Sequence, residues 1–570
     1  MMLRRYLLAL PLLLAPVILA GQGRGIAPSE LYKPLADSWP TYSGDYSGKR
    51  FSSLTQINHA TVKSLTLAWV ARLTGGSAIP GFGAGAGGGR GGGGAPLIIG
   101  GEGKGDFPTG GPPNVKGTPL MVDGTLYVSA PDNAWALDAR DGRVLWHYFW
   151  KTRGGTHIGN RGLGIWNDYL YMETPDNYLV SLEAKTGKER WHKVIADFNQ
   201  QYFSTPAPVV IDNHVLAGTG NDLDAPGFLQ SFDAATGELK WKFYTVPMNP
   251  GDPGLETWAN LDRARHGGAQ PWLPGAFDPE TRLYIFGTGN PTPAFTPGRG
   301  EGDNLFTCSL IAVNVDTGKM AWYFQTSPRD MHDWDSAQTP ILFDAVIDGK
   351  PRKLVSTAAR NGYFFTLDRL TGEHIVTTKY GTATNWGRGL RPDGSVLRNR
   401  EKDPSVGGSL VSPTASGTIN WEPPAYSPDT GLFYVSERNG YSLFYLTELD
   451  PRGSMGLGGV DRIPVGSAGS FLTAIDPKTG TIAWRERYPG AGEGGGGGGL
   501  LATAGGLVFG GDAGGNIVAW DAKTGKPVWH SHIGNVTNAP ISYMLDRRQY
   551  LLVAANDVLY AFSLYDPPAR

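Results

Sequence analysis

The sequence predicts an all-β protein, an eight-bladed β-propeller, on three observations. The composition joins 82 Gly and 42 Pro to 17 Trp and 24 Tyr in 570 residues, with only 18% charged, which suits many short strands joined by tight turns. An Asp-initiated turn closed by Gly and followed four residues later by Trp recurs along the chain. Strand-like segments at the two ends of the chain can also share one blade, a closure that removes free sheet edges.

The repeat has a physical reason at each position. Asp138 to Gly142 leads to Trp146, Glu183 to Gly187 leads to Trp191, and Asp233 to Gly237 leads to Trp241. The pattern returns at Asn314 to Gly318 with Trp322, Asp476 to Gly480 with Trp484, and Asp521 to Gly525 with Trp529. Asp368 to Gly372 keeps the turn but has Val376 in place of the Trp. Asp starts the turn and Gly takes its left-handed position. The Trp is expected to lie flat between neighbouring sheets, with one N–H to satisfy. Start-to-start spacings are 45, 50, 81, 54, 108 and 45 residues. About 45 residues is one four-stranded blade, so the 81 and 108 gaps hold insertions. Trp69 and the strand-like runs at 550–555 and 558–562 supply the eighth blade. Seven is the alternative count.

The chain opens with Arg4-Arg5, an apolar run at 6–19 and Ala20, the pattern of a secretory signal over 1–20. The expectation is therefore a single propeller over 21–570, periplasmic, with no transmembrane segment in the mature chain. Two Gly-rich stretches interrupt it, an insertion at 75–111 and a loop at 493–499. The first reads as a surface loop. The second precedes an apolar strand and could approach a central site, where Gly permits close backbone contact. A net charge of −2 leaves no basic field for nucleic acid. The single cysteine, Cys308, permits no intrachain disulfide and no covalent c-type haem, and its strand-like run 306–311 suggests a buried apolar residue.

The Asp-x-x-Thr-Gly-x-x-x-Trp repeat resembles the tryptophan-docking motif of the pyrroloquinoline quinone (PQQ) dependent alcohol and methanol dehydrogenases. The segments 39–58 and 501–509 resemble that family's opening and its closing blade. Site motifs follow in the family's order. The resemblance makes Asn290, in Gly-Thr-Gly-Asn-Pro, a Ca2+ ligand through a hard amide oxygen. Asp335, in His-Asp-Trp-Asp-Ser-Ala, falls at the catalytic base and metal ligand, with Asp333 the alternative base. Ala337 stands where lanthanide-dependent members carry an extra Asp. Asp222 occupies the place of a Glu metal ligand and is one methylene shorter, leaving Asp224 as a substitute. Trp272 falls at the floor on which the planar quinone stacks. Arg360 and Arg161 fall at the Arg positions that contact the quinone's reactive oxygens and a cofactor carboxylate, a role for rigid forked donors. Thr205 and Thr219 lie near positions whose hydroxyls bind cofactor oxygens.

Two further features depart from the family. Gly155 and Thr156 stand where many members have a vicinal cysteine pair over the quinone, and Lys116 stands where the family has a Glu. The resemblance implies oxidation of an alcohol, sugar or polyol, with Ca2+ as Lewis acid, Asp335 taking the hydroxyl proton and Arg360 stabilising negative charge. Electrons would pass to an external acceptor such as a periplasmic cytochrome c. Insertions at 243–265, 380–417 and 450–469 are expected to line the chamber. A non-catalytic propeller scaffold of the outer-membrane assembly type is the alternative; it would share the repeats but not a metal site. A hydrolase using the carboxylates directly lacks a recognisable motif.

Overall fold

In the computed structural model the described residues are 25–76, 98–100, 113–155, 157, 159–448, 459–489 and 496–565. The expected leader, most of the 75–111 insertion, Thr156 and the 493–495 part of the second Gly-rich loop lie outside them.

Among the described residues the chain folds into eight sheets of four or five strands and one two-stranded hairpin. The only α-helix there is Leu261–Arg265. Sheet 1 is Leu120–Val122, Thr125–Ala130, Asn133–Asp138 and Val144–Phe149, with Ile98–Gly100 paired to its outer strand. Sheet 2 is Gly164–Trp166, Tyr169–Glu173, Tyr178–Glu183 and Glu189–Val194; sheet 3 is Val209–Ile211, His214–Ala217, Phe228–Asp233 and Leu239–Tyr244. Sheet 4 is Ala276–Asp278, Leu283–Gly287, Ser309–Asn314 and Met320–Gln325; sheet 5 is Ile341–Ile347, Lys350–Ala358, Tyr363–Asp368 and His374–Lys379. Sheet 6 is Ala425–Ser427, Leu432–Leu446, Gly459–Asp476 and Thr481–Arg487, joined by Ser409–Val411. Sheet 7 is Leu500–Thr503, Leu507–Gly511, Asn516–Asp521 and Pro527–His532. Sheet 8 takes Ile541–Leu545, Arg548–Ala555 and Val558–Leu564 from the end of the chain and Leu65–Arg72 from its beginning, antiparallel to Val558–Leu564.

Burial follows position in the sheet. The second and third strands are largely buried on both faces, as in Thr125–Ala130 and Ser309–Asn314. The outer strand Leu239–Tyr244 instead exposes Lys240 and Lys242 and half-buries Trp241 and Phe243.

The recurring turn fastens each sheet to the next. Gly142, Gly187, Gly237, Gly318, Gly372, Gly480 and Gly525 all have φ between 68° and 75°. A Cβ added at Gly187 would lie 2.6 Å from the Trp146 ring. Glycine is thus required there both for the left-handed backbone and for contact with the indole. The indole N–H of Trp69 donates to the Ala139 carbonyl at 3.2 Å, Trp146 to Ala184 at 3.0 Å, and Trp191 to Ala235 at 3.1 Å. Trp241 donates to Val315 at 2.8 Å, Trp322 to Arg369 at 3.1 Å, and Trp484 to Ala522 at 3.1 Å. These contacts link sheet 8 to sheet 1 and run on in order to sheet 5, then from sheet 6 to sheet 7. Where Val376 replaces the Trp, Thr378, two residues on and on the same face, donates to the Gly480 carbonyl at 3.0 Å. Trp529 meets Phe562 of sheet 8 edge-on at 5.4 Å.

The N-terminal segment threads the inner strands in the same order. Asp37 accepts from Met544, Trp39 pairs with Met121, and the Tyr46 hydroxyl donates to Val210. The carbonyls of Tyr46, Ser47, Lys49 and Arg50 then accept from Phe277, Leu342, Tyr426 and Ala502. Arg50 is fully buried and donates to the carbonyls of Tyr42, Leu500 and Pro540 and to the Thr118 hydroxyl, satisfying a charge that burial would otherwise penalise.

One expectation is corrected. Cys308 is buried, but it is not in a strand: it sits at φ 46°, one residue before Ser309–Asn314. The described part of the 450–469 insertion, whose conformation the sequence left open, is a strand that extends the sheet 6 hairpin.

Candidate active site

The site residues come from two kinds of loop at one end of the sheets. Lys116, Arg161, Thr205, Trp272 and Asp335 precede the inner strands of sheets 1 to 5, and Trp421 precedes that of sheet 6. Asp222, Asn290 and Arg360 follow the second strands of sheets 3, 4 and 5. In these antiparallel sheets the start of the first strand and the end of the second are neighbours.

Asp335 is the centre of the best-defined group. Its Oδ2 accepts from Trp272 Nε1 at 2.9 Å and from Arg360 Nη1 at 2.7 Å, and its Oδ1 accepts from the Asn290 backbone N–H at 2.5 Å. Arg360 Nη2 reaches Asp333 Oδ2 at 3.1 Å, so one guanidinium spans both carboxylates. Asp333 Oδ1 is buried and unpartnered. Burial pushes the Asp335 carboxyl up; Arg360, the Asn290 N–H and the Trp272 indole pull it back, and the charge of Asp222 pushes it up again. Burial likewise pushes the Asp333 carboxyl up.

The turn carrying these acids is organised by residues that sequence reasoning missed. Buried Asp330 accepts the backbone N–H groups of His332, Asp333 and Trp334 at 3.2, 2.9 and 3.1 Å, and burial raises its carboxyl to about 6. Arg299, fully buried, donates to the Asp330 carbonyl and to Thr296 O at 2.8 Å. An Asp accepting N–H groups two to four residues ahead is a turn signal readable in a sequence, whereas a buried Arg that binds carbonyls leaves none. From above, the 380–417 insertion delivers Ala415 O to Arg360 Nε at 2.8 Å. Gly417, at φ 80°, lies so near that an added Cβ would stand 2.0 Å from Arg360 Cγ.

A second group is cationic and aromatic. Arg161 is 9% exposed, and its Nε has no hydrogen-bond partner. Its guanidinium stands 4.7 Å from the Trp421 ring centre and 5.6 Å from that of Trp272. Lys116 Nζ stands 5.6 Å from Trp421. The Thr118 N–H donates to Arg161 O at 2.9 Å, fixing the two loops side by side. Burial, then repulsion from Arg161, pulls Lys116 below the usual lysine range. Glu422 pairs with Arg438 and leaves its buried Oε2 unpartnered. Trp421 escaped the sequence reading because no Asp-Gly turn precedes it. Its signal is the proline just before the inner strand, which also occurs at Pro119, Pro208, Pro340 and Pro540.

The remaining expected residues are more dispersed. Thr219 is buried and its hydroxyl donates to Gln270 Oε1 at 2.9 Å, behind the Trp272 segment, while the Thr205 hydroxyl lies 3.5 Å from Trp272 O. Asp222 Oδ2 pairs with His157 Nε2 at 2.7 Å. Asp224 lies 3.4 Å from His266 Nδ1. Among the described residues no three His, Cys, Asp or Glu side chains form a metal-holding group. Gly496–Gly499 pack closely, since Cβ atoms there would strike Tyr488, Val536, Asn538 and Pro423.

The donors fit the groups the resemblance implies. A buried guanidinium with an open donor, beside two indoles and a lysine, suits a planar anion bearing carboxylates. The Asp222 and Asp335 carboxylates, together with the Asn290 amide oxygen, are hard oxygen donors suited to Ca2+.

Residues 39–384 match the family model described as glucose/ethanol/alcohol dehydrogenase, beta-propeller domain. Residues 468–566 match that of outer membrane protein assembly factor BamB. The chain is 32% identical to quinohemoprotein alcohol dehydrogenase ADH-IIG of Pseudomonas putida, over 91% of this chain and 72% of that protein. It is also 32% identical to quinoprotein alcohol dehydrogenase PedH of Pseudomonas putida, over 97% and 92%. Among solved structures, quinohemoprotein alcohol dehydrogenase from Comamonas testosteroni superposes with a TM-score of 0.79 at 29% identity, covering 96% of this chain and 84% of that one. A europium-containing methanol dehydrogenase gives 0.78 at 26%, covering 94% and 99%.

Proposed function

As the chain belongs to the PQQ-dependent alcohol dehydrogenase family, we propose that it is an eight-bladed, periplasmic, PQQ- and Ca2+-dependent dehydrogenase that oxidises an alcohol, sugar or polyol. Its eight sheets are read as the eight blades, closed where Leu65–Arg72 joins the last strands. No helix among the described residues is long and apolar enough to cross a membrane. The observation that carries the reading is Arg161, a buried cation with an open Nε held between the indoles of Trp272 and Trp421.

Asp222, Asn290 and Asp335 would hold Ca2+. Arg161 and Lys116 would take cofactor carboxylates, and Trp272 would stack on the ring, with Thr205 and Thr219 beside it. When bound, PQQ supplies the two-electron acceptor and Ca2+ the Lewis acid. The protein's part is local. Asp335, held by three donors, accepts the alcohol proton at a carboxylate oxygen, and Arg360 offsets the negative charge that develops beside it. The end of the 380–417 loop packs on Arg360 through Ala415 O and Gly417 and holds the guanidinium in place. Electrons then leave to an external acceptor. A relative 30% identical over 90% of this chain carries the name 1-butanol dehydrogenase (cytochrome c), which supports a cytochrome in that role.

PQQ with Ca2+ should quench tryptophan fluorescence and raise the melting temperature. Absence of both at saturating cofactor favours the scaffold reading, which the match of residues 468–566 to the assembly factor alone supports.

A further inference from the structure

Asp222 is shorter than the Glu the family places there, yet its surroundings are ordered. Phe203 is pinned to the segment that carries it: the Phe203 N–H donates to Gly220 O at 3.0 Å and the Gly220 N–H to Phe203 O at 2.8 Å. The Phe203 ring covers Gly220 so closely that an added Cβ would lie 2.0 Å from it. Asn221 fixes the turn from both sides, donating to Gln200 O at 2.8 Å and accepting from the Leu223 N–H at 2.8 Å. On this platform the His157 ring stacks against Phe203, 4.7 Å between centres and 15° between planes, with Nε2 2.7 Å from Asp222 Oδ2.

We propose that His157 is a positioning residue for the metal site: it holds Asp222 by Oδ2, with Phe203 as backstop, so that Oδ1 is presented to Ca2+. The inference rests on the proposed function. An outer hydrogen bond that fixes a carboxylate ligand preorganises it and removes the rotamer freedom that binding would otherwise cost. The bond forms with the protonated ring or with the neutral Nε2–H tautomer, since Nε2 carries a proton in both. The rival geometry is competition, in which the imidazole keeps Asp222 away from the cation.

Calorimetric titration of Ca2+ into protein equilibrated with PQQ separates the two. His157→Ala should weaken Ca2+ binding about 10- to 100-fold. His157→Gln, whose amide also donates, should recover most of the loss, and Phe203→Leu should fall between. Calcium-free PQQ affinity, read by tryptophan fluorescence, should stay at the wild-type value in all three. Equal or tighter Ca2+ binding by His157→Ala overturns the inference while leaving the proposed function intact. A wild type that binds PQQ but no Ca2+ overturns the metal part of that reading and this inference with it.

Discussion

The indole N–H of Trp272 donates to Oδ2 of Asp335 at 2.9 Å, and Arg360 reaches the same oxygen at 2.7 Å. The residue assigned to stack on the cofactor and the residue assigned to take the proton are therefore one mechanical unit.

Trp272→Phe keeps an aromatic face and removes that donor. Hydrogen bonds to charged groups are worth about 1.5–3 kcal/mol, so kcat should fall roughly 10- to 100-fold while PQQ binding changes by less than tenfold. Steady-state kinetics beside fluorescence titration checks this; equal losses in both would mean that the indole acts only as a platform.

Lys116 and Arg161 flank Trp421, with the charge of Glu422 acting on both. Lys116→Glu should weaken PQQ binding by tenfold or more, from the loss of a charge-assisted contact of about 1.5–3 kcal/mol and added repulsion. Lys116→Arg should bind near the wild-type level. Fluorescence titration at two salt concentrations reads the difference, which should shrink at high salt.

His147 is buried, stacks on Trp135 at 4.8 Å, and burial pulls it down to about 4. Its folded value thus lies below the unfolded one near 6.5, so the unfolded chain binds the extra proton between these limits. The stability it contributes is present above pH 6.5 and is lost as pH falls towards 4, at about 1.4 kcal/mol per pH unit. His147→Gln should reduce the slope of stability against pH by that amount in this window. Denaturant titrations from pH 4 to 8 test it, and an unchanged slope would contradict it.

The docking turns should be energetically unequal to ordinary surface turns. Trp146 is 3% exposed and its N–H is satisfied by Ala184, so Trp146→Ala should cost about 3–5 kcal/mol. Gly187→Ala should cost at least about 1–2 kcal/mol through its left-handed backbone alone, before contact with the indole is counted. Urea unfolding measures both; a loss well under 1 kcal/mol at Gly187 would show that the turn can shift.

Much of this fold was legible because the information is local. An Asp, a left-handed Gly and a Trp four residues later fix a turn by short-range chemistry, and the same pattern shows where Val376 breaks it. Pairing of Leu65–Arg72 with Val558–Leu564 was readable from Trp69 and two apolar strands. Arg50, Arg299 and His157 were not readable, since each acts on groups distant in sequence or on backbone carbonyls that no residue type announces. Cys308 was misplaced because an apolar run does not reveal the positive φ that delays its strand. At the site, residue types suggested ligands and a base, but not that Thr219 spends its hydroxyl on Gln270.

Asp335 is proposed to take the proton in a PQQ- and Ca2+-dependent alcohol oxidation. The direct measurement is dye-linked alcohol oxidation by protein reconstituted with PQQ and Ca2+, wild type beside Asp335→Asn, with PQQ occupancy measured in the same samples. Wild type should turn over at least one primary alcohol, secondary alcohol, polyol or aldose, and turnover should fall by a factor of about 1000 or more in a variant that still binds PQQ. Undiminished turnover by the PQQ-loaded variant would contradict it.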